Sequence, residues 1–101
     1  MTDTGMVQND TYFRFDSGQL IITPPAKDLM QRYSIDPHRL LERHRSGDWG
    51  DQSDQDKKAW DKALKEGFSL MSVYKVGDEE VWLVTAVERL ATVFLSSEEH
   101  C

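Results

Sequence analysis

The chain has little of the chemistry that marks several protein classes. Its 101 residues include one cysteine, Cys101, with three prolines and six glycines. A lone cysteine excludes an intramolecular disulfide and a cysteine-based zinc site, and it favours a reducing compartment, so we expect a cytoplasmic protein. No apolar run approaches the ~20 residues of a membrane-spanning helix, and no secretory signal opens the chain. We therefore expect no membrane partner.

Positive charge is also scarce. Twelve Lys and Arg residues against eighteen Asp and Glu residues give a net charge of −6. Basic side chains on phosphates supply much of the affinity of nucleic-acid-binding proteins, so this balance argues against DNA as a partner. The 39% hydrophobic and 30% charged fractions are typical of a globular domain with one core. We expect residues 1–10 to form a disordered N-terminus and residues 11–101 to form a single α+β domain.

Three helix starts are indicated by capping residues. Thr23 precedes two prolines, which suit the first turn of a helix. Asp36 precedes another proline, and Ser53 precedes a run with acidic residues in its first turn. Gly47 and Gly67 suit the left-handed position that often ends a helix. The sequence therefore predicts two or three helices between residues 23 and 67.

The remaining segments have the composition of strands. Two β-rich runs, 11–15 and 19–23, flank Asp16-Ser17-Gly18 and predict an N-terminal hairpin. Runs 68–76, 81–86 and 90–95 predict a C-terminal three-stranded antiparallel meander. Both alternating sets of these last runs contain apolar residues, which indicates a sheet covered on both faces, either by helices or by a partner chain.

One segment resembles a known family. Residues 41–51 read Leu-Glu-Arg-His-Arg-Ser-Gly-Asp-Trp-Gly-Asp. This segment is similar to the Arg-His-x-x-Gly-Asp-Trp-Gly signature of small uncharacterised bacterial proteins that are common on plasmids, phages and other mobile elements. Ala-Leu-Lys-Glu-Gly at 63–67, Ser-Val-Tyr at 72–74 and Val-Trp-Leu-Val-Thr at 81–85 extend the resemblance. It implies an accessory role on a mobile element.

The chain departs from this family at several polar positions. Trp60 stands where the family usually has asparagine, Ala86 replaces a glutamate, Leu90 a serine and Ser97 a proline. Chemistry that needs those polar groups is not expected in this chain. The order of a helix ending in Arg-His and a small antiparallel sheet also resembles the barnase/RelE-like ribonuclease fold, as an analogy of fold only.

The preferred prediction is a small acidic protein without enzymatic activity that binds another protein or a second copy of itself. Three tryptophans and the two-sided apolar sheet supply the physical motive. The interface is predicted on the meander, and its residues are Trp49, Tyr74, Trp82, Arg89 and Phe94. Trp49 has an alternative role as a buried plug of its loop, because a small domain needs the area that a tryptophan buries.

The alternative prediction is a metal-independent, toxin-like ribonuclease. His44 would supply acid/base chemistry, Arg45 and Arg89 would bind phosphate, and Thr92 would join them from the sheet. RNA is a partner only under this alternative. The competing interpretation of the basic residues is that they complement the dipole at the end of a helix.

No metal or cofactor is expected. Asp48, Asp51, Asp54 and Asp56 lie close together in the sequence, but they lack the spacing and late glutamate of an EF-hand calcium loop. A solvated loop and helix N-terminus explains them, and mimicry of nucleic-acid phosphates is a further interpretation. No glycine-rich phosphate loop, nucleophile elbow or paired-histidine motif is present.

Overall fold

The computed structural model describes residues 14–97. The elements in chain order are β1 (Gln19–Ile22), α1 (Pro24–Arg32), α2 (Pro37–Arg45), α3 (Asp54–Glu66), β2 (Leu70–Val76), β3 (Glu79–Thr85) and β4 (Ala91–Ser96). This arrangement confirms the predicted α+β class, and it has three helices where two or three were predicted. The predicted disorder of residues 1–10 lies outside the described residues, as do residues 11–13 and 98–101 of the predicted domain.

The helices begin and end largely where the capping residues predict. The Asp36 carboxylate accepts a hydrogen bond from the His38 backbone N–H at the start of α2. The Ser53 hydroxyl accepts one from the Asp56 N–H at the start of α3, and Gly67 ends α3 with a φ of 80°. Thr23 differs, because its hydroxyl donates to the Phe94 carbonyl and so ties the start of α1 to the sheet.

The sheet is mixed and has four strands in the order β1-β4-β3-β2. The antiparallel neighbours β2, β3 and β4 follow one another in the chain, as a meander requires. β1 adds to β4 in a parallel orientation, so the prediction of a simple antiparallel meander is wrong for the sheet as a whole. After β1 the chain passes through the three helices, β2 and β3 before it reaches β4. The strand β4 then lies beside β1 and runs in the same direction.

The predicted N-terminal hairpin is not shown. Gly18 has a φ of 64° and donates its N–H to the Asp16 carboxylate, so a turn does precede β1. Residues 14 and 15 form a bend rather than a strand, and the Arg14 N–H donates to the carbonyl of Arg45 in α2. The partner of β1 is therefore β4, more than 65 residues away in the sequence, and residues 11–13 lie outside the described range.

One face of the sheet, called the inner face here, packs against α1 and α2. Its buried side chains alternate along the strands, with Tyr74, Leu83 and Phe94 at the centre. The core cluster adds Ala26, Leu29, Met30, Leu40 and Leu41 from the two helices. Burial of these apolar side chains is the main source of stability of a domain this small.

The opposite face, called the outer face here, carries a second apolar set. Ile21, Val93, Val84 and Met71 are cross-strand neighbours in one row across all four strands. Trp82 and Leu95 are neighbours in the next row. Among the described residues, every strand residue of the core cluster that joins helices and sheet lies on the inner face. The helix α3 lies beside β2, and none of the three described helices is long and apolar enough to cross a membrane.

Candidate functional site

His44 lies inside the protein at the centre of a polar cluster. The last turn of α2 carries the imidazole on the same side as Leu40 and Leu41, and its side chain is fully buried against the inner face. Its Nδ1 lies 2.5 Å from the Ser72 hydroxyl of β2, and its Nε2 lies 2.8 Å from the Thr85 hydroxyl of β3. Both ring nitrogens therefore have partners within the protein.

The donor and acceptor of each hydrogen bond in this cluster can be deduced from the bond between Thr92 and the Ser17 carbonyl. Thr92 donates to the Ser17 carbonyl at 2.8 Å, because a carbonyl oxygen can only accept. Each hydroxyl has one proton, so Thr85 donates to the Thr92 oxygen at 2.7 Å and accepts from Nε2–H of His44. Nδ1 then accepts from the Ser72 hydroxyl. The order of bonds thus places a proton on Nε2 of His44, and Nδ1 is the acceptor when the ring is neutral.

Burial holds this imidazole in its neutral form. Desolvation, which is the larger cause, and the positive charge of Arg89 together lower the pKa of His44 from 6.5 to about 3. General acid/base catalysis near neutral pH needs a group that exchanges protons there and reaches the substrate. A sealed, neutral His44 does neither in this conformation.

Three residues of the alternative catalytic set, His44, Arg45 and Arg89, contact Phe15. The Phe15 ring meets the His44 ring edge-on at 5.0 Å between centroids. The Arg45 Nε donates to the Phe15 carbonyl at 3.2 Å, and the Arg89 guanidinium lies 5.7 Å from the centroid of the Phe15 ring. The structure thus brings His44 and Thr92 into one buried chain of hydrogen bonds and places both arginines at Phe15. Neither guanidinium donates to the imidazole in the hydrogen bonds described.

Arg89 has a structural role in its turn. It adopts a φ of 61° between β3 and β4, and its guanidinium donates to the carbonyls of Phe68 at 2.8 Å and Ala86 at 3.0 Å. These bonds hold the β3–β4 turn against the start of β2. A phosphate at this position would compete with two backbone carbonyls for the same donor.

The Gly-Asp-Trp-Gly loop covers the edge of β2. The Val73 N–H donates to the Trp49 carbonyl at 3.0 Å, and the Asp51 N–H donates to the Val73 carbonyl at 2.6 Å. The Lys75 N–H donates to the Asp51 carboxylate at 2.9 Å. Gly50 has a φ of 85°, and an added Cβ would overlap the Val73 carbonyl oxygen, so only glycine fits there.

A side-chain amide extends this closed edge. Gln52 donates to the carbonyls of Trp49 at 2.8 Å and Met71 at 3.3 Å, and its own oxygen accepts from the Trp60 indole at 2.8 Å. The Trp49 indole donates to Asp61 of α3 at 2.9 Å. The loop therefore links β2 to α3 and satisfies backbone groups that an edge strand would leave open.

Asp48 fixes the beginning of the loop. Its carboxylate accepts from Gly50 N–H at 3.1 Å and pairs with the Arg43 Nε at 2.7 Å. Burial opposes ionisation of Asp48, but the hydrogen bond and charge of Arg43 outweigh it and hold the pKa of Asp48 below its usual value. Arg43 lies 4.4 Å over the Tyr74 ring, and the Tyr74 hydroxyl donates to the Asp48 carbonyl at 2.5 Å. Burial, as the largest cause, raises the pKa of Tyr74 well above its usual range.

The predicted interface residues divide between the interior and the surface. Trp49, Tyr74 and Phe94 are 2%, 1% and 0% exposed, so they offer a partner no surface in this conformation. Trp49 stacks on Phe15 and meets the His44 ring edge-on, as expected of a plug in its loop. Trp82 lies on the outer face, partly exposed, and its indole donates to Glu80 at 2.9 Å.

Sequence reasoning did not assign a role to Ser72, Thr85, Ser17 or Phe15. The first two were visible as polar residues at inner-facing positions of strands whose neighbours on that face are apolar, together with Thr92. Such positions need internal hydrogen-bond partners. Within residues 14–97, no group of three His, Cys, Asp or Glu side chains converges, and this includes the acidic residues 48–56.

The comparisons with known proteins leave these assignments to the geometry. No family model matches the sequence, and neither a curated protein nor a solved structure matches it. The resemblance to the mobile-element family therefore stays a prediction.

Proposed function

We propose that this chain is a non-catalytic accessory protein that acts by binding another protein through the outer face of its sheet. The observation that supports the proposal is the composition of that face. Of its nine positions in β2, β3 and β4, only Lys75 and Glu80 are charged, and these two are cross-strand neighbours. Contiguous apolar patches rimmed by charge mark interaction sites on soluble proteins.

The position of the helices supports the same proposal. Within residues 14–97, α1 packs on β3 and β4 while α2 and α3 pack on β2, and the core cluster includes no outer-face residue. Trp82, Val84, Val93 and Leu95 are only partly buried, and Ile21 is 44% exposed. Tryptophan and branched aliphatic residues in one patch suit the desolvated centre of a protein interface. We further propose, from the resemblance, an accessory role on a bacterial mobile element in the cytoplasm.

The test uses a charge placed at the centre of the outer face. Val84→Lys should abolish binding of a host protein that wild-type chain captures, because an unpaired charge would be buried at the contact. The matched control is Gln55→Lys, which adds the same charge to an exposed position of α3. The captured protein is then purified and titrated against all three chains by calorimetry. Equal affinities for the three chains would overturn the proposal.

Two further measurements keep this test decisive. Val84→Thr has nearly the shape of valine and favours strands, so it replaces the lysine variant if that chain does not fold, and a roughly tenfold loss of affinity is expected. Sedimentation velocity over a wide concentration range shows whether the partner is a second copy of the chain. Self-association that Val84→Thr weakens would replace the proposed partner with a homodimer.

The ribonuclease alternative has its own test. The full chain incubated with RNA should show no cleavage above a buffer control, because both nitrogens of His44 are occupied and the ring is buried. Cleavage by wild-type chain that disappears in a folded His44→Gln variant would overturn the non-catalytic proposal.

A further inference from the structure

The two edges of the sheet differ in how their backbone groups are satisfied. At the β2 edge, the 49–52 loop forms hydrogen bonds with the Met71 carbonyl, with both the N–H and the C=O of Val73, and with the Lys75 N–H. An uncovered strand edge is a template for pairing with another chain, and proteins usually block it. In this protein the 49–52 loop blocks the β2 edge, so the β1 edge is the one at which another strand could pair.

The β1 edge is open within the described part of the chain. The Gln19 N–H donates to the Leu90 carbonyl at 2.9 Å, and the Thr23 N–H donates to the Phe94 carbonyl at 3.2 Å. In a parallel pair each residue directs both backbone groups to one side, and successive residues alternate. Residues 19, 21 and 23 thus face β4, while Leu20 and Ile22 direct N–H and C=O away from the sheet. No described residue pairs with these four groups.

An apolar groove lies beside these open backbone groups. It has a volume of about 430 Å³. Leu20 and Ile22 line one side, and the helical segment lines the other with Met30, Ile35 and Pro37. Leu20 and Ile22 point to the inner face, so a strand added at their edge would direct every second side chain to the same side, into the groove. One added strand could therefore pair with the open edge and place side chains in the groove at the same time.

The charge at the groove indicates the chemistry of the occupant. Lys27 is the one charged residue in its lining, and the other polar residue there is Gln31. Lys27 is exposed and forms no ion pair with any residue in 14–97. In a chain of net charge −6 this is a local positive site, so it complements an acidic group.

We propose that the β1 edge binds an extended peptide segment of a partner protein. The peptide adds a fifth strand, pairs its backbone with Leu20 and Ile22, places alternate apolar side chains in the groove and directs an acidic side chain to Lys27. Backbone pairing supplies affinity in this mode, and the groove supplies specificity. The site is separate from the outer face, so it goes beyond the function proposed above and stands or fails independently of it.

The test measures amide hydrogen exchange by NMR on the full, isotopically labelled chain. The probe is a blocked six-residue peptide in which valines alternate with threonines before a final aspartate. Without peptide, the amides of Leu20 and Ile22 should exchange rapidly while that of Ile21 is protected by β4. Saturating peptide should slow exchange at Leu20 and Ile22 at least tenfold and shift the resonances of the groove residues.

Peptide and protein variants identify the binding mode. N-methylation of the peptide amides that face β1 should abolish binding, because those amides can no longer donate. Lys27→Glu should weaken binding of the aspartate peptide about tenfold and improve binding of a lysine-ended peptide. The matched control Lys62→Glu changes an exposed lysine of α3 and should leave the affinity unchanged.

Three outcomes would overturn the proposal. The first is no response to millimolar peptide. The second is protection of Leu20 and Ile22 in the dilute isolated chain, which would show that the chain itself occupies the edge. The third is protection that rises with protein concentration, which would assign the edge to a second copy.

Discussion

The buried His44 predicts a specific loss of stability in mild acid. In the folded protein its pKa is about 3, whereas the ordinary value is 6.5. At pH values between these two pKa values, His44 is protonated in the unfolded chain and neutral in the folded chain. Acidification therefore favours the unfolded state, and the stability that His44 contributes above pH 6.5 is lost progressively as the pH falls from about 6.5 toward 3.

The magnitude follows from the size of the pKa difference. Each pKa unit corresponds to about 1.4 kcal/mol. A pH of 4.5 lies about two units below the pKa of His44 in the unfolded chain, whereas His44 in the folded chain is still neutral at this pH. The free energy of unfolding should therefore be about 2.7 kcal/mol lower at pH 4.5 than at pH 7.5. The lower end of this window lies just above the ordinary pKa of glutamate, about 4.3, so the depressed pKa of Asp48 acts mainly below the window.

Urea unfolding at the two pH values measures the effect. His44→Gln cannot ionise but can still accept from Ser72 and donate to Thr85, so it should lose most of the difference between pH 7.5 and pH 4.5. His38→Gln removes an exposed imidazole from the same helix and should keep the wild-type difference. NMR of the His44 ring in wild-type protein gives the direct observation, with no protonation expected above pH 4.5. An equal pH dependence in wild type and His44→Gln, or titration of His44 near pH 6.5, would refute the argument.

Three further variants test the contacts that hold the site. Gly50→Ala should destabilise by about 3 kcal/mol in urea unfolding, from the left-handed φ and the lost edge bonds, whereas Gly67→Ala, which meets no neighbour, should cost about 1 kcal/mol. Equal costs would contradict the edge-closing role of the loop. Thr85→Val keeps the side-chain shape but leaves Nε2–H of His44 unpaired, so about 2 kcal/mol should be lost, and a neutral result would argue against the deduced chain of bonds. Asp36→Ala removes the α2 cap and should cost about 1 kcal/mol, with lower helicity by circular dichroism, and unchanged stability would refute the capping role.

The Gly-Asp-Trp-Gly loop shows how far sequence reasoning reached at the site. The sequence predicted a loop here with Trp49 either as an interface residue or as a buried plug, and in the structure Trp49 is buried while Asp48 accepts from the Gly50 N–H. The sequence did not show that the loop lies along β2, because Val73 is more than twenty residues away and no local preference encodes that contact. The exposure of Trp49 was likewise undetermined, since the same residue type serves as plug and as anchor.

Short-range chemistry settled the helices and most strands from the sequence alone. Asp36, Ser53 and Gly67 act on backbone groups within four residues, and the alternation of apolar residues follows from strand geometry. The tertiary structure alone decided the parallel pairing of β1 with β4, which joins residues some 70 positions apart. It also decided that His44 is buried and neutral, because its partner Thr85 lies 41 residues away and desolvation exists only once the core has closed around both.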